Sequence, residues 1–234
     1  WRLNEYRVAA GLLPVTEDPA ASARAAAHSR YIVMTQQLTH EEDRNSPFFS
    51  EGGDWAGRRG NIFGTTAAQA SGAEVVDAWW NSPPHAMTML LPPLGRVGYG
   101  TFAANPAPGA YRVAATLEVY TEALRETGPA YQATLPVLLP YRGRTLLQCP
   151  TRCAESGHLA ALWVQVWHRP DQTVERARVV REGQEMPVFL WPGGWEGAPL
   201  MVVASCLTAP QTGRHHAEVV VDGRTYTLDW TVIR

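Results

Sequence analysis

The side chains of this sequence that could do chemistry are seven histidines, three cysteines and scattered carboxylates. All 20 basic residues are arginines, which excludes Schiff-base formation and a lysine general base. The chain contains no Gly-x-Ser-x-Gly elbow, no His-Glu-x-x-His pair and no phosphate-binding glycine loop. The better-known hydrolase and nucleotide-binding templates therefore receive no support.

The three cysteines, Cys149, Cys153 and Cys206, all lie in the second half of the chain. An odd number predicts one disulfide with either a free thiol or a link between chains. Cys149 and Cys153 are too far apart in sequence for a Cys-x-x-Cys redox pair. We therefore predict a disulfide that joins Cys206 to Cys149 or Cys153 and stabilises a β module.

The composition restricts the class of partner. Hydrophobic residues make up 45% of the chain, charged residues 18%, and the formal net charge is -2. Without a broad basic field, nucleic-acid binding is not expected, and small molecules or proteins are the expected partners. No apolar run approaches the roughly 20 residues of a membrane-spanning helix. The chain begins without a methionine, a basic region or an apolar signal core, which predicts a processed or trimmed N-terminus.

Three helices are predicted in the first half. The first has apolar side chains at helical spacing from Leu3. The second is capped by Asp18, continues with Pro19, and should run to about Gln37. The third begins at a Ser71–Glu74 capping box, carries Trp79 and Trp80, and ends before two prolines. Both tryptophans can be buried only if this helix is covered on two sides.

Strands are predicted after residue 93. Two of them, at 96–102 and 111–119, complete a first domain of residues 1–121. A proline-rich linker or entry segment follows at 122–144. Short apolar segments then alternate with turns through 145–234, and Asp222-Gly223 predicts a tight hairpin near the end. The expected fold class is α+β, in which the second domain is a small β-sandwich or barrel, with an Ig-like sandwich as the preferred form.

Seven sequence pieces in the first half occur in an order and spacing that resemble one family. They are Leu3-Asn4-Glu5-Tyr6-Arg7, Gly11-Leu12-Leu13-Pro14-Val15, Ala27-His28-Ser29-Arg30-Tyr31, Leu38-Thr39-His40, Gly60-Asn61-Ile62, Trp79-Trp80-Asn81-Ser82-Pro83-Pro84-His85 and Val97-Gly98-Tyr99-Gly100. Residues 1 to about 121 resemble the CAP superfamily of cysteine-rich secretory proteins, antigen 5 and plant pathogenesis-related proteins, in its bacterial SCP-like branch. The resemblance implies an α-β-α sandwich and a secreted or cell-envelope location.

Members of this family often carry two histidines and two glutamates around a central cleft. The resemblance places His40 and His85 at the histidine positions. Neither glutamate is present. Gly60 replaces the first, in a triplet that usually reads Gly-Glu-Asn, and Asn81 and Ser82 stand where the second would be. Carboxylate-dependent chemistry is therefore in doubt.

The resemblance implies that His40, His85, Asn61, Trp80 and Ser82 lie at the cleft. His40 and His85 are candidate ligands for zinc or another divalent metal, but a stable zinc site usually needs three or four protein ligands. Glu41 and Glu42 could complete the site, or they could form a solvated face. Asn61 and Ser82 could instead bond backbone groups, which is the more common role of such residues near helix ends. We expect His28 to be packed in the core and Glu74 to serve the capping box.

Two functions follow. The first is a non-enzymatic extracellular or envelope protein whose CAP cleft binds a small-molecule, lipid or protein ligand or a metal, while the β module contacts an envelope component or another protein. The second is a metal-dependent hydrolase of peptides or cell-wall material that uses His40 and His85 to activate water. The missing glutamates favour the first, and we assign no catalytic residue.

Overall fold

The computed structural model describes residues 2–10, 12–80, 82–91, 94–119, 137–140, 146–148, 159–195, 198–207 and 212–232. The chain divides into two compact units. One comprises Trp1–Val8, Leu12–Trp80 and Thr88–Thr127, and the other comprises Ala9–Gly11, Asn81–Met87 and Gly128–Arg234. A domain boundary at residue 121 and a linker at 122–144 stay predictions.

The first half contains more helices than the three that were predicted. The described helices are α1 (Arg2–Ala9), α2 (Pro19–Thr35), α3 (Glu51–Arg58), α4 (Gly72–Trp80) and α5 (Pro83–Met89). Most of α5 belongs to the second unit. Four strands accompany them: β1 (Thr16–Glu17), β2 (Gly60–Thr65), β3 (Arg96–Ala103) and β4 (Val113–Glu118). They form one sheet in the order β1-β3-β4-β2, in which only the β1–β3 pair is parallel. None of the described helices is both long and apolar enough to cross a membrane.

Helix α2 begins and ends as its sequence predicts. The Asp18 side chain accepts hydrogen bonds from the N–H groups of Ala20 and Ala21, and Pro19 occupies the first turn. The helix ends at Thr35, where Gln36 adopts a left-handed conformation with φ of 62°. The predicted end near Gln37 is thus confirmed to within two residues.

The alternation of side chains along β3 places helices on both faces of the sheet. Gly98 and Gly100 face α2 so closely that a Cβ on Gly98 would overlap Ala21, and one on Gly100 would overlap Ala26. Tyr99 points to the opposite face, where its ring meets the edge of Trp79 from α4 at 6.4 Å between centroids. The sheet therefore lies between two helical layers, as the resemblance implies.

Helix α4 confirms the predictions made for it. Ser71 and Glu74 exchange hydrogen bonds, since the Ser71 N–H donates to the Glu74 carboxylate at 2.7 Å and the Glu74 N–H donates to Ser71 Oγ at 3.2 Å. Trp79 and Trp80 are both buried. Trp79 donates its indole N–H to the Ile62 carbonyl, and Trp80 stacks on Tyr6 from α1. The helix is thus covered on two sides.

The second unit is built from antiparallel strands in two sheets. Its strands are β5 (Val137–Pro140), β6 (Leu146–Gln148), β7 (Leu159–Trp167), β8 (Val174–Arg181), β9 (Gln184–Met186), β10 (Phe189–Trp195), β11 (Ala198–Leu207), β12 (Gly213–Val221) and β13 (Arg224–Val232). One sheet has the order β10-β11-β7-β5, with β6 also paired to β7, and the other has the order β13-β12-β8-β9. Strand β5 lies inside the segment that the sequence predicted to be a linker or entry segment.

Both sheets contribute to one hydrophobic cluster. Val164 and Val166 from β7 pack with Val179, Val219 and Trp230 of the other sheet. The predicted Asp222-Gly223 hairpin is confirmed, because these two residues have φ of 47° and 72° and join β12 to β13. A β-sandwich arrangement is therefore supported, while an Ig-like strand order stays a prediction.

Candidate functional site

His40 lies on the exposed segment that follows α2. Its Nδ1 is 2.7 Å from the carbonyl oxygen of Gly57. Because a carbonyl can only accept, Nδ1 carries the proton, and in the neutral ring Nε2 keeps its lone pair. Nε2 is therefore the nitrogen of His40 that could ligate a metal ion or accept a proton.

The carboxylates next to His40 are engaged elsewhere. Glu41 pairs with Arg58 at 2.9 Å. Glu42 is only 5% exposed, and its carboxylate contacts His28 Nδ1 at 2.9 Å and accepts from the Ser50 N–H at 2.8 Å. Glu42 is thus held away from a metal site, while Glu41 is held only by a surface ion pair.

His28 and Glu42 form a buried pair that fixes the path of the chain around His40. His28 is fully buried and its Nε2–H donates to the Thr39 carbonyl at 2.9 Å, which confirms that it is a packed histidine. The Glu42 N–H in turn donates to Asp54. Burial alone would raise the pKa of Asp54, but hydrogen bonds from Arg58 and from the Glu42 N–H outweigh it, so the net pKa is lowered.

Gly60 stands where the family usually has its first glutamate, and its surroundings leave no space for a side chain. A Cβ at this position would overlap the Leu117 carbonyl oxygen and would lie 2.8 Å from the carbonyl oxygen of Ala56. Both obstacles are backbone atoms, which cannot rotate away. The backbone around Gly60 therefore leaves no space for the glutamate that the family usually has at this position.

A cavity of about 240 Å³ lies in the first unit, on the face of the sheet that carries α1 and α4. Its walls come from α1, from the first half of α4 and from two neighbouring strands, namely Arg2, Leu3, Gly72, Ala73, Val76, Tyr99 and Leu117. Tyr99 and Leu117 are direct cross-strand partners on β3 and β4. Apart from Arg2 and the Tyr99 hydroxyl, the lining side chains are apolar.

The Tyr99 hydroxyl oxygen is buried and has no hydrogen-bond partner among the described residues. Burial raises the pKa of this phenol above its usual value of 10.0, so it stays protonated at neutral pH. At the rim, the Arg2 guanidinium donates to Asp77 at 2.6 Å and to Glu5 at 2.6 Å. The side chains that line the cavity are thus mostly apolar.

Residues 2–108 match the family model described as CAP, the cysteine-rich secretory protein family. This segment is a CAP domain. The match covers the helices and the strand on which the sequence resemblance rested. No curated protein matches the chain.

The remaining predicted cleft residues lie in different surroundings. In the CAP domain, Asn61 is 2% exposed and its Oδ1 accepts from the Thr88 hydroxyl at 2.7 Å, while the ring of Trp80 is buried against Tyr6. Ser82 Oγ and His85 Nδ1 are 2.6 Å apart and belong to the second unit. The approach of His85 to His40 stays a prediction.

The metal site at His40 and His85 and the disulfide both stay predictions. Among the described residues, no group of three or more histidine, cysteine, aspartate or glutamate side chains is arranged to hold a metal ion. Cys149 and Cys153 lie outside the described residues, as does the side chain of Cys206. The disulfide therefore stays a prediction.

Sequence reasoning missed the cavity in the CAP domain. Leu3 was read as an apolar helix residue and part of a family motif, and Tyr99 only as part of a family motif. A signal for Tyr99 does exist, because a tyrosine between two glycines in a strand predicts one face pressed against a neighbour and one face that carries a large ring. The cavity itself depends on how α1 and α4 meet the sheet.

Proposed function

We propose that the CAP domain is a non-enzymatic binding module for a small, mostly apolar molecule, which enters the cavity between α1, α4 and the sheet. The observation that carries this proposal is the cavity of about 240 Å³ with walls formed by Leu3, Val76 and Leu117. These three side chains are each at most 7% exposed. The proposal moves the ligand away from His40, because none of the predicted cleft residues lines this cavity.

The size and the chemistry of the cavity agree with this function. Small-molecule sites are concave and mostly apolar and contain a few polar groups that orient the ligand. An apolar cavity of roughly 150 Å³ already accepts a molecule as large as benzene. A ligand with one ring or a short branched chain would exchange water contact for contact with aliphatic side chains, which is favourable at about 25 cal/mol per Å².

We propose that the protein acts outside the cytoplasm, secreted or held at the cell envelope, and comes from the bacterial branch of the family. Support for this location comes from the CAP family, whose members are often extracellular. The second unit would then act as an Ig-like accessory module that contacts an envelope component or another protein.

The alternative is a metal-dependent hydrolase that uses His40 and His85. The tautomer of His40 favours it, since Nε2 keeps the lone pair that a zinc ion needs. The positions of Glu41 and Glu42 disfavour it, since both are held by other partners. Metal analysis of the purified chain distinguishes the two functions, because the hydrolase requires stoichiometric metal that is lost in His85→Ala.

Titration with toluene tests the binding function. Ala73 is exposed at the entrance of the cavity, so Ala73→Phe would place a ring across it, whereas Ala78→Phe would add the same ring to an exposed site of α4 outside the cavity. We expect toluene to bind the native chain and Ala78→Phe with similar Kd in calorimetry. Ala73→Phe should weaken binding at least about tenfold, a loss of about 1.4 kcal/mol. Absence of binding to the native chain would contradict the proposal.

A further inference from the structure

The side chains on one face of α4 increase in size along the cavity. Gly72, Ala73 and Val76 all line it, and their spacing of three and four residues places them on the same side of the helix. Gly72 and Ala73 are exposed, whereas Val76 is buried. The cavity therefore opens at the first turn of α4 and is bordered by a larger, buried side chain one turn further along.

Two tryptophan rings follow Val76 along α4 and bring this helix into contact with its neighbours. Trp79 meets the edge of the Tyr99 ring from β3 at 6.4 Å between centroids, and Trp80 stacks on Tyr6 from α1 at 4.1 Å. Both tryptophans are buried, and neither lines the cavity. Aromatic rings thus occupy the space around α4 past Val76, and the inner end of the cavity lies at this side chain.

The volume of the cavity gives the size of the ligand that it can enclose. Benzene, with six carbon atoms, fits an apolar cavity of roughly 150 Å³. At the same ratio, a cavity of about 240 Å³ encloses about nine or ten carbon atoms, or one ring with a side chain of about three or four. Further carbon atoms would project through the entrance into water, where they bury no additional apolar surface.

We infer that the cavity has one open and one closed end, and that Val76, at the closed end, sets how much of an apolar ligand it can enclose. This inference rests on the proposed function, because it concerns the ligand class of the same cavity. Val76 is then a specificity-determining residue, and it selects by size alone.

A series of alkylbenzenes from toluene to hexylbenzene tests this limit. Their Kd values would be measured by calorimetry on the full chain, with the protein titrated into each ligand below its solubility. In the native chain, we expect Kd to fall about fourfold for each added methylene group, because each one exchanges water for apolar contact. The fall should stop when the side chain has about three or four carbon atoms, since the cavity is then full.

Substitutions at two neighbouring valines identify the residue that sets the limit. Val76→Ala removes two methyl groups from the closed end, so the limit should move to a side chain longer by about one or two carbon atoms. Val76→Ile adds one methylene group, so the limit should move in the opposite direction. Val75→Ala is the matched control, because Val75 is fully buried but does not line the cavity. Its limit should equal that of the native chain.

The outcomes separate this inference from the proposed function. If toluene binds and Kd continues to fall through hexylbenzene, the closed end is overturned while the binding function stands. If the native chain shows a limit that is the same in both Val76 variants, the role of Val76 is overturned. If no alkylbenzene binds the native chain, the binding function fails and the inference fails with it.

Discussion

Arg7 and His28 are buried and Tyr99 is half-buried in the CAP domain, and they differ in how their polar atoms are satisfied. The Arg7 guanidinium donates to the carbonyl oxygens of Leu13, Met89, Leu91 and Leu94, and burial lowers its pKa to about 10. His28 meets an acceptor at each ring nitrogen. The sequence predicted that His28, on the second helix, would be packed rather than a ligand. The sequence could not predict that the Tyr99 hydroxyl has no partner among the described residues, because the residues around this hydroxyl come from distant segments of the chain.

At the same scale, the burial of His215 predicts how the stability of the second unit depends on pH. His215 is 2% exposed, stacks on Trp230 and donates from Nδ1 to the Gly213 carbonyl. Burial lowers its pKa below the usual value of 6.5. As the pH falls through 6.5, the unfolded chain binds a proton that the folded chain does not bind, so the free energy of unfolding decreases. The contribution is at most about 1.4 kcal/mol per pH unit until the lowered pKa is reached.

Urea unfolding between pH 7.5 and 5.5 measures this effect. His215→Phe keeps an aromatic ring against Trp230 and removes the titrating group, so its stability should decrease less on acidification than that of the native chain. His216→Gln is the matched control, because His216 is the next residue and is paired at the surface with Asp229. Equal pH dependence in the native chain and His215→Phe would show that His215 does not titrate as described.

At the scale of elements, the strength of the sequence pattern decided what could be predicted. Helices α2 and α4 have capping residues and regular apolar spacing, and both were found close to their predicted bounds. Helix α3 was missed, because its eight residues include two glycines, which are poor helix formers. Helix α5 was missed, because two prolines read as the end of α4 although proline is favoured in the first turn of a helix.

The packing of α2 on β3 gives a prediction at this scale. Ala21 approaches Gly98 so closely that an added methyl group would overlap backbone atoms of α2. Gly98→Ala should therefore lower the free energy of unfolding by about 2 kcal/mol, since overpacked cores lose 1–3 kcal/mol. Gly95→Ala is the control, because nothing lies within 4 Å of a Cβ at that exposed position, and its effect should stay within about 0.5 kcal/mol. Equal stability of the two variants in urea would contradict the close contact between helix and strand.

At the scale of the whole molecule, the chain combines a CAP domain with an antiparallel β unit. The change of texture from helical spacing to short alternating strands predicted this order. The candidate site was harder to predict, because the family motif directs attention to His40 and His85, while the cavity is formed by side chains that look like ordinary core residues. Apolar residues that line a cavity and apolar residues that fill a core have the same sequence pattern.

The most direct test of the binding function is a crystal structure of the full chain soaked with bromobenzene, with data collected at the bromine absorption edge. The proposed function predicts one strong anomalous peak inside the cavity, within van der Waals distance of Leu3, Val76 and Leu117. Soaked crystals of Ala73→Phe should lose this peak, and those of Ala78→Phe should keep it. A native map without bromine in the cavity, or with bromine only at other sites, would contradict the claim that the CAP domain binds small apolar molecules there.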